Sequence, residues 1–285
     1  MSIEPPPPSI VAEVVARALA EDRAFDDAAT LGAIPADAAA RGAFVAREAG
    51  VLAGMPVVAE VFRQLDARVR VVPHLGEGER FPAGTVLATA EGPARALLQG
   101  ERTALNFLQR LSGIATLTRS FADAVAGTGC LILDTRKTTP GLRDLEKYAV
   151  RCGGGANHRR DLASMAMLKD NHRELLARAG VSMAEAVRRI RARTPGIGVE
   201  IEVDTLAELE EALAAEPDWV LLDNMAPAEL REAVRRTAGR AKLEASGGVT
   251  LTTVRAIAET GVDAVSVGAL THGARALDIA LDFEF

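Results

Sequence analysis

The feature that most constrains the fold is a regular alternation of short apolar segments and longer amphipathic ones after Gly129. The short segments are predicted strands: LILD (131–134), AMLKD (166–170), GVEIEVD (198–204), WVLLDN (219–224), KLEASG (242–247) and AVSVG (264–268). Helical stretches lie between them at 173–193, 205–215, 227–237 and 250–260. This alternation favours a parallel sheet with right-handed crossover helices, and the near-continuous apolar strands predict burial on both faces.

A barrel is favoured over an open doubly wound sheet for two reasons. No GxGxxG motif follows the first strand, and the strands end in polar residues or glycine: Asp134, Lys169, Glu202, Asp223, Glu244/Ser246 and Gly268. In a (β/α) barrel the carboxyl ends of all strands meet at one mouth. Because only about six strands are clear, we predict an α/β fold with an incomplete, TIM-like barrel over residues 128–285.

The first part of the chain follows a different pattern. Helical stretches are predicted at 10–20 and 38–48, and short strands at 69–72 and 84–90. Helices beside a small mixed sheet predict an α+β domain over residues 10–127, whose last helical part, 94–127, leads into the barrel. The proline-rich residues 1–9 are predicted to be a disordered lead-in.

Positive charge is concentrated in one stretch of an acidic chain. Residues 134–173 contain nine Lys/Arg and five Asp/Glu, although the whole chain has a formal net charge of −6. Such a cluster favours a pocket for a small polyanion and argues against a nucleic-acid partner, which would require a basic face overall.

The remaining bulk features narrow the class of protein. No apolar run reaches the roughly 20 residues of a membrane helix, and the N-terminus lacks the pattern of a secretory signal. The two cysteines have no CxxC spacing, so neither a disulfide framework nor a zinc site is predicted. We therefore expect a reduced, cytoplasmic protein without a membrane partner.

Two carboxylates at successive strand ends are candidate metal ligands. Glu202 and Asp223 can hold a hard Mg²⁺, which typically takes one or two carboxylates together with substrate phosphate oxygens. The alternative is that they satisfy helix N-termini or pair with the basic cluster. Asp204 differs, because Thr205 and Glu208 follow it in the spacing of a capping box, which indicates a structural role.

Glycine-containing turns after the last two strands are candidate phosphate sites. They are Ser246-Gly247-Gly248 and Ser266-Val267-Gly268. Glycine lets backbone N–H groups approach a phosphate, and the loops after the last strands are the usual phosphate position in such barrels. The alternative is that both are simple tight turns.

The basic residues at the strand ends are candidate ligands for anions. Arg136 and Lys137 directly follow a strand, and His158 and Arg159 follow a triple-glycine loop. Arginine forks match carboxylates and phosphates in bidentate fashion, whereas the alternative is a solvated charged face. Lys169 at a strand end could instead be a Schiff-base nucleophile.

These residues bring a known family into view, because the chain resembles the quinolinate phosphoribosyltransferases. The matching segments are ERTALNFLQRLSGIAT (101–116), DTRKTTPGLRDLEKYAVRCGGGANHR (134–159), LKDNH (168–172), EIEVD (200–204), LLDN (221–224), LEASGG (243–248) and VDAVSVGALTH (262–272). The resemblance covers nearly the whole chain and is weak only before about residue 30, where FDDAAT replaces the family's usual Gly-Asp pair before a Thr. That departure touches the entry to the first domain and not the chemistry.

The resemblance implies a reaction and a set of roles. Family members transfer the phosphoribosyl group of phosphoribosyl pyrophosphate (PRPP) to the ring nitrogen of quinolinate, releasing pyrophosphate and CO₂ and forming nicotinate mononucleotide for NAD biosynthesis. By resemblance, the catalytic residues are Lys137, Lys169, Glu202 and Asp223, with Mg²⁺ on the last two. The substrate-binding residues are Arg102, Arg136, Lys137, His158, Arg159, Lys169, Ser246, Gly247, Gly248, Ser266, Val267 and Gly268.

The resemblance also implies a fold and an assembly. The N-terminal domain is expected to be an open-faced α+β sandwich and the C-terminal domain an incomplete (β/α) barrel. The expected state is a homodimer in which the N-terminal domain of one subunit caps the barrel mouth of the other and supplies Arg102. Three alternatives remain open from the sequence. They are a paralogue of the same fold that uses another acceptor and accompanies molybdate-transport genes, a Schiff-base phosphosugar aldolase acting through Lys169, and a non-catalytic sensor of a phosphorylated metabolite.

Overall fold

The computed structural model describes residues 3–284. Its helices are α1 (Pro8–Glu21), α2 (Ala28–Ala33), α3 (Met55–Leu65), α4 (Ala94–Ala124), α5 (Arg143–Cys152), α6 (Asp170–Arg178), α7 (Met183–Arg193), α8 (Leu206–Leu213), α9 (Pro227–Thr237), α10 (Val254–Ala258) and α11 (Ala269–His272). Its strands are β1 (Ala39–Ala46), β2 (Gly50–Val51), β3 (Arg70–Pro73), β4 (Arg80–Phe81), β5 (Val86–Pro93), β6 (Leu131–Leu133), β7 (Ala166–Leu168), β8 (Val199–Val203), β9 (Trp219–Asp223), β10 (Lys242–Ser246), β11 (Ala264–Ser266) and β12 (Ile279–Glu284). None of the helices in this range is both long and apolar enough to cross a membrane.

The chain forms two compact units that interleave along the sequence. The first contains the residues up to 119, then 137–155, and those from 269 onward. The second contains residues 120–136 and 156–268. Because segments after residue 127 return to the first unit, a single boundary does not describe these units, and the domain boundary between 127 and 128 stays a prediction.

The first unit is built on an antiparallel sheet with the strand order β12-β1-β5-β3. Strand β1 pairs on both sides, with Phe44 opposite Ala88 of β5 and Leu281 of β12. The buried ring of Phe44 lies against Phe62 of α3, with the ring centroids 6.3 Å apart. One sheet and its packed helices make up the α+β sandwich that the family resemblance implies.

Two local predictions in this unit differ from the structure. The helix predicted over 38–48 is wrong, because this Ala-rich stretch forms β1. Alanine favours helices intrinsically, but pairing with strands that are distant in sequence overrides such a preference. The predicted disordered lead-in covers residues 1–9, of which Met1 and Ser2 lie outside the described residues. In the rest, α1 already begins at Pro8, since proline is tolerated in the first turn of a helix.

The second unit contains a six-stranded parallel sheet with the order β6-β11-β10-β9-β8-β7. Consecutive strands are neighbours, except that the first strand, β6, pairs with the last, β11. This is the order of a barrel that is open between its first two strands. The central strands are buried along most of their length, which confirms the predicted incomplete (β/α) barrel.

The crossover helices follow the predicted alternation with two adjustments. The stretch predicted as one helix over 173–193 is divided into α6 and α7, separated by a turn at Gly180, which has a φ of +67°. The helix predicted over 250–260 is shortened to α10. The capping box predicted before α8 is present, because Thr205 accepts from the Glu208 N–H while the Glu208 side chain accepts from the Thr205 N–H.

Candidate active site

The parallel register of the second unit brings the predicted strand-end residues to one edge of the sheet. Asp223, at the end of β9, lies opposite Ser246, at the end of β10. Ser266, at the end of β11, lies opposite Leu133, the last residue of β6. Lys169 directly follows β7, and Glu202 is the next-to-last residue of β8. The residues predicted from separate parts of the sequence therefore share the carboxyl edge of one sheet.

An acidic pair with one ammonium group lies at the ends of three neighbouring strands, β7, β8 and β9. The Nζ atom of Lys169 donates to Glu202 Oε2 at 2.8 Å. Burial raises the pKa of Asp223, and the nearby charges of Glu202 and Asp204 raise it further. A carboxylate whose charged form is disfavoured by neighbouring carboxylates is a favourable place for a cation, and oxygen ligands are those that Mg²⁺ prefers.

Arg173, which the sequence analysis does not single out, holds the end of β8 in place. Its Nη1 donates to the Glu202 carbonyl oxygen at 2.8 Å, and its guanidinium also forms an ion pair with Glu208. Arg173 lies four residues after Lys169, and this one-turn spacing on a helix is the sequence signal that could have found it.

A second cluster is buried deeper in the same unit. His158 Nε2 lies 3.0 Å from Glu200 Oε2 and 3.0 Å from Glu244 Oε2. The side chains of Glu200 and Glu244 are only 0% and 2% exposed. A charged residue in the middle of an otherwise apolar strand is unusual. The glutamates within VEIEV and KLEAS are therefore the sequence signal that could have predicted a buried acidic cluster.

The environment acts on the protonation of this cluster in opposing directions. Burial lowers the pKa of His158, but the bonds to Glu200 and Glu244 outweigh it and raise the pKa to about 9. Burial and the charge of Glu244 raise the pKa of Glu200, against the effect of the bond from His158. The other ring nitrogen of His158, Nδ1, accepts the Arg159 backbone N–H at 2.7 Å, and this bond opposes the rise in pKa because a proton on Nδ1 would have to displace it.

The backbone around His158 is fixed by a buried aspartate. Asp134 Oδ1 accepts from the His158 N–H at 2.9 Å, and Asp134 Oδ2 accepts from Asn157 Nδ2 at 2.6 Å. Asp134 follows β6 and is fully buried, so the loop that carries His158 is tied to the first strand of the sheet. The sequence analysis identifies Asp134 only as a strand end.

The guanidinium groups of Arg136 and Arg159 repel one another at this edge of the sheet. Burial lowers the pKa of Arg159 and the charge of Arg136 lowers it further, while Glu200, Glu202 and Glu244 act in the opposite direction. Arg159 donates from Nη1 to the Met165 carbonyl oxygen at 3.3 Å and from Nη2 to Met167 Sδ at 3.2 Å. Neighbouring guanidinium groups are suited to a ligand that carries more than one negative charge.

The turn after β10 has a backbone that requires glycine. Gly247 has a φ of +94° and Gly248 a φ of +59°. A Cβ atom on Gly247 would overlap the Asn224 side-chain oxygen and lie 2.6 Å from Asn224 Cγ. Asn224 in turn donates from Nδ2 to Asp223 Oδ2 at 2.7 Å, which links this turn to the acidic pair. In the other predicted phosphate turn, Ser266 and Val267 are buried and the Val267 N–H donates to the Leu133 carbonyl oxygen; Gly268 follows them.

Arg102 and Lys137 belong to the first unit, where both are exposed. Arg102 lies on α4, and the Lys137 carbonyl oxygen accepts from Thr271 Oγ1 at 2.8 Å. The turn after Lys137 is held by the buried Glu146, which accepts from the Thr139 N–H at 3.0 Å.

The fold and the site together define an α/β-barrel protein with a candidate polyanion site at the carboxyl edge of its sheet. Models of the quinolinate phosphoribosyl transferase N-terminal and C-terminal domains match residues 24–112 and 114–282. The chain therefore belongs to the quinolinate phosphoribosyltransferase family.

Individual relatives extend along almost the whole chain. The chain is 45% identical over 276 residues to the nicotinate-nucleotide pyrophosphorylase [carboxylating] of Mycobacterium leprae, covering 95% of this chain and 96% of the relative. It is 45% identical over 239 residues to the probable enzyme of the same name from Bacillus subtilis, covering 84% of this chain and 81% of the relative. The nicotinate-nucleotide pyrophosphorylase structure from Francisella tularensis superposes with a TM-score of 0.91 at 37% identity, covering 100% of this chain and 99% of that one.

Proposed function

We propose that this protein is a decarboxylating quinolinate phosphoribosyltransferase, which converts quinolinate and PRPP into nicotinate mononucleotide, CO₂ and pyrophosphate in NAD biosynthesis. The observation that carries the proposal is the meeting of three kinds of group at one edge of one sheet. These are the cations Arg136, Arg159 and Lys169, the acidic pair Glu202 and Asp223, and the glycine turn after β10. Because the chain belongs to the quinolinate phosphoribosyltransferase family, we assign this combination of groups to the binding of quinolinate and PRPP.

The two substrates explain the charges of the site. Quinolinate is a dianion whose two carboxylates sit on neighbouring ring carbons, so two guanidinium groups and an ammonium group can neutralise it. We assign Arg136, Arg159 and Lys169 to this ring acid, with Arg102 added from the partner subunit. The 5′-phosphate of PRPP is assigned to the turns at Ser246-Gly247-Gly248 and Ser266-Val267-Gly268, and the pyrophosphate to Lys137.

The chemistry needs little from a general base. The pyridine nitrogen carries no proton, so it attacks C1′ directly as the bond from C1′ to the pyrophosphate oxygen breaks. Positive charge that develops on the ribose is stabilised by a nearby carboxylate, Glu202 or Asp223. The alkylated ring nitrogen then stabilises the electron pair left at C2 when CO₂ departs, and C2 takes up a proton.

We also propose that the enzyme requires Mg²⁺ held by Glu202 and Asp223. Burial raises the pKa of Asp223 and the charge of Glu202 raises it further, which supports this assignment because a divalent cation would relieve the repulsion. When bound, the ion would neutralise the pyrophosphate of PRPP as it leaves. Lys169, which pairs with Glu202, must exchange this partner for substrate when the ion binds.

The shared active site is a further part of the proposal. Arg102 is exposed on α4, and Leu162 and Leu175 of the second unit are 70% and 67% exposed. A homodimer in which each subunit supplies Arg102 to the other would place this arginine in the partner's site. The same interface is suited to bury the exposed side chains of Leu162 and Leu175. We expect the enzyme to work in the cytoplasm, and its two free, buried cysteines are consistent with a reducing compartment.

The surroundings of Lys169 argue against the aldolase alternative. Schiff-base lysines are activated by desolvation or by a neighbouring cation. The Lys169 side chain is 44% exposed, and its closest ionic partner is the carboxylate of Glu202. Borohydride treatment with phosphosugars should therefore trap no adduct.

The proposed function is tested by supplying purified protein with PRPP, Mg²⁺ and quinolinate. We expect CO₂ and pyrophosphate to be released together. A matched reaction with nicotinate, which lacks the 2-carboxylate, should release no CO₂. Pyrophosphate release from nicotinate at a comparable rate would instead indicate a paralogue with a different acceptor.

A further inference from the structure

The buried cluster of His158, Glu200 and Glu244 has no role in the reaction as described above. One imidazole lies between two carboxylates at 3.0 Å each, and the three side chains are at most 8% exposed. Two carboxylate oxygens, Glu200 Oε1 and Glu244 Oε2, are buried without a hydrogen-bond partner, so Glu244 contacts the imidazole only as an ion pair. Burying two carboxylates is costly unless neighbouring cations compensate, so the cluster requires an explanation.

Both ring nitrogens of His158 are engaged by protein groups. Nε2 faces Glu200 and Glu244, and Nδ1 accepts the Arg159 N–H at 2.7 Å. The ring can donate to a substrate carboxylate only by giving up one of these contacts. His158 is therefore suited to fix the backbone of Arg159, and Asp134 fixes the other side of the same short loop.

The two buried glutamates also lie close enough to act on the charge of Arg159. They favour its charged form, whereas burial and the neighbouring Arg136 disfavour it. Two guanidinium groups that face one ligand repel one another until the ligand arrives. Fixed negative charge behind them offsets this repulsion and keeps the pair ready for a dianion.

We propose that Glu200 and Glu244 are positioning residues which, through His158, hold Arg159 beside Arg136 and so set the preference for a pyridine with two adjacent carboxylates. This inference rests on the proposed function, because it specifies how the acceptor site of that reaction is built. It makes His158 a connecting residue between the buried acids and the arginine backbone.

The test compares Glu200→Gln and Glu244→Gln, which keep size and remove charge, with Glu211→Gln, an exposed change on α8. Full-length protein is assayed for release of CO₂ and pyrophosphate. In each buried variant we expect the KM for quinolinate to rise about tenfold or more, as for loss of a bond to a charged group, with the KM for PRPP within about twofold. Glu211→Gln should match the wild type in both constants.

A second measurement is independent of turnover. Titration calorimetry without PRPP compares the binding of pyridine-2,3-dicarboxylate (quinolinate) with that of pyridine-3-carboxylate. The buried variants should lose affinity for the dicarboxylate while affinity for the monocarboxylate changes little, so the discrimination falls. Where one Gln variant does not fold, the Asp variant at the same position, which retains the charge, takes its place and should keep more discrimination than the Gln variant that folds.

Three outcomes would overturn the inference. The first is an unchanged KM for quinolinate in both Gln variants, and the second is an equal rise in both KM values. The third is a stoichiometric transition metal in the purified protein that both Gln variants lose, since one imidazole and two carboxylates could also ligate such an ion. Failure of the proposed function is distinct, because the wild type itself would then release no CO₂.

Discussion

Replacing Gly247 with alanine tests the geometry of the proposed phosphate turn most sharply. Gly247 has a φ of +94°, a conformation that costs an L-residue about 1–2 kcal/mol. The added Cβ would also lie 2.6 Å from Asn224 Cγ and 3.0 Å from the Asn224 backbone nitrogen. Asn224 must then move and lose its 2.7 Å bond to Asp223, which costs roughly 1–2 kcal/mol at a partly exposed site.

A matched control separates the two contributions. Gly239 has a similar φ of +78°, but a Cβ atom there would meet no atom within 4 Å. Gly239→Ala should therefore show only the backbone cost, about 1–2 kcal/mol in the free energy of unfolding. Gly247→Ala should lose about 2–4 kcal/mol, the sum of the backbone cost and the displacement of Asn224.

The assay combines denaturant unfolding with steady-state kinetics. Displacement of Asn224 disturbs both the phosphate turn and Asp223, so we expect Gly247→Ala to raise the KM for PRPP about tenfold, which corresponds to about 1.4 kcal/mol. Gly239→Ala should leave this constant unchanged. Equal unfolding free energies for the two variants, with an unaltered KM for PRPP in both, would refute the steric argument.

Three further predictions follow from the site and from the first unit. Arg102→Ala should nearly abolish turnover without unfolding the protein, and mixing it with a Glu202→Ala/Asp223→Ala protein should restore part of the activity; mixtures that stay inactive would rule out the shared site. Removal of Mg²⁺ by a chelator should stop the release of both products, and added Mg²⁺ should restore it, whereas undiminished turnover in the chelator would exclude the metal requirement. The bond from Arg275 lowers the pKa of Glu48 to about 2 from 4.5, so Glu48 stabilises the fold above pH 4.5 and this contribution is lost as the pH falls toward 2. Glu48→Gln should therefore lower the free energy of unfolding at pH 7 by about 1 kcal/mol or less, with a difference from wild type that shrinks below pH 4.5; a constant difference would contradict the assignment.

The barrel could be predicted from the sequence because its signal is local and repeated. Each strand is a short apolar run, four of the six are followed by a predicted helix, and polar residues such as Glu202 and Asp223 mark the strand ends. The strand order then follows from handedness and adjacency, which few topologies satisfy. The partnership of Asp223 with Ser246 is a consequence of that register.

What escaped prediction depends on contacts between residues distant in sequence. The Ala-rich stretch 38–48 becomes strand β1 because β5 and β12 pair with it, and neither partner is visible in its own composition. The contacts of His158 with Glu200 and Glu244 were not predicted either, while its role as a substrate ligand stays a prediction. Spacing along the chain cannot reveal which buried acid will face an imidazole 42 residues away.

The most direct test of the central claim is the stoichiometry of the products. Purified protein is supplied with PRPP, Mg²⁺ and quinolinate labelled at its 2-carboxylate, and labelled CO₂ and pyrophosphate are measured in the same samples. The proposed function predicts that the two are released one to one, together with nicotinate mononucleotide. Pyrophosphate released without labelled CO₂, or no reaction with quinolinate at all, would contradict it.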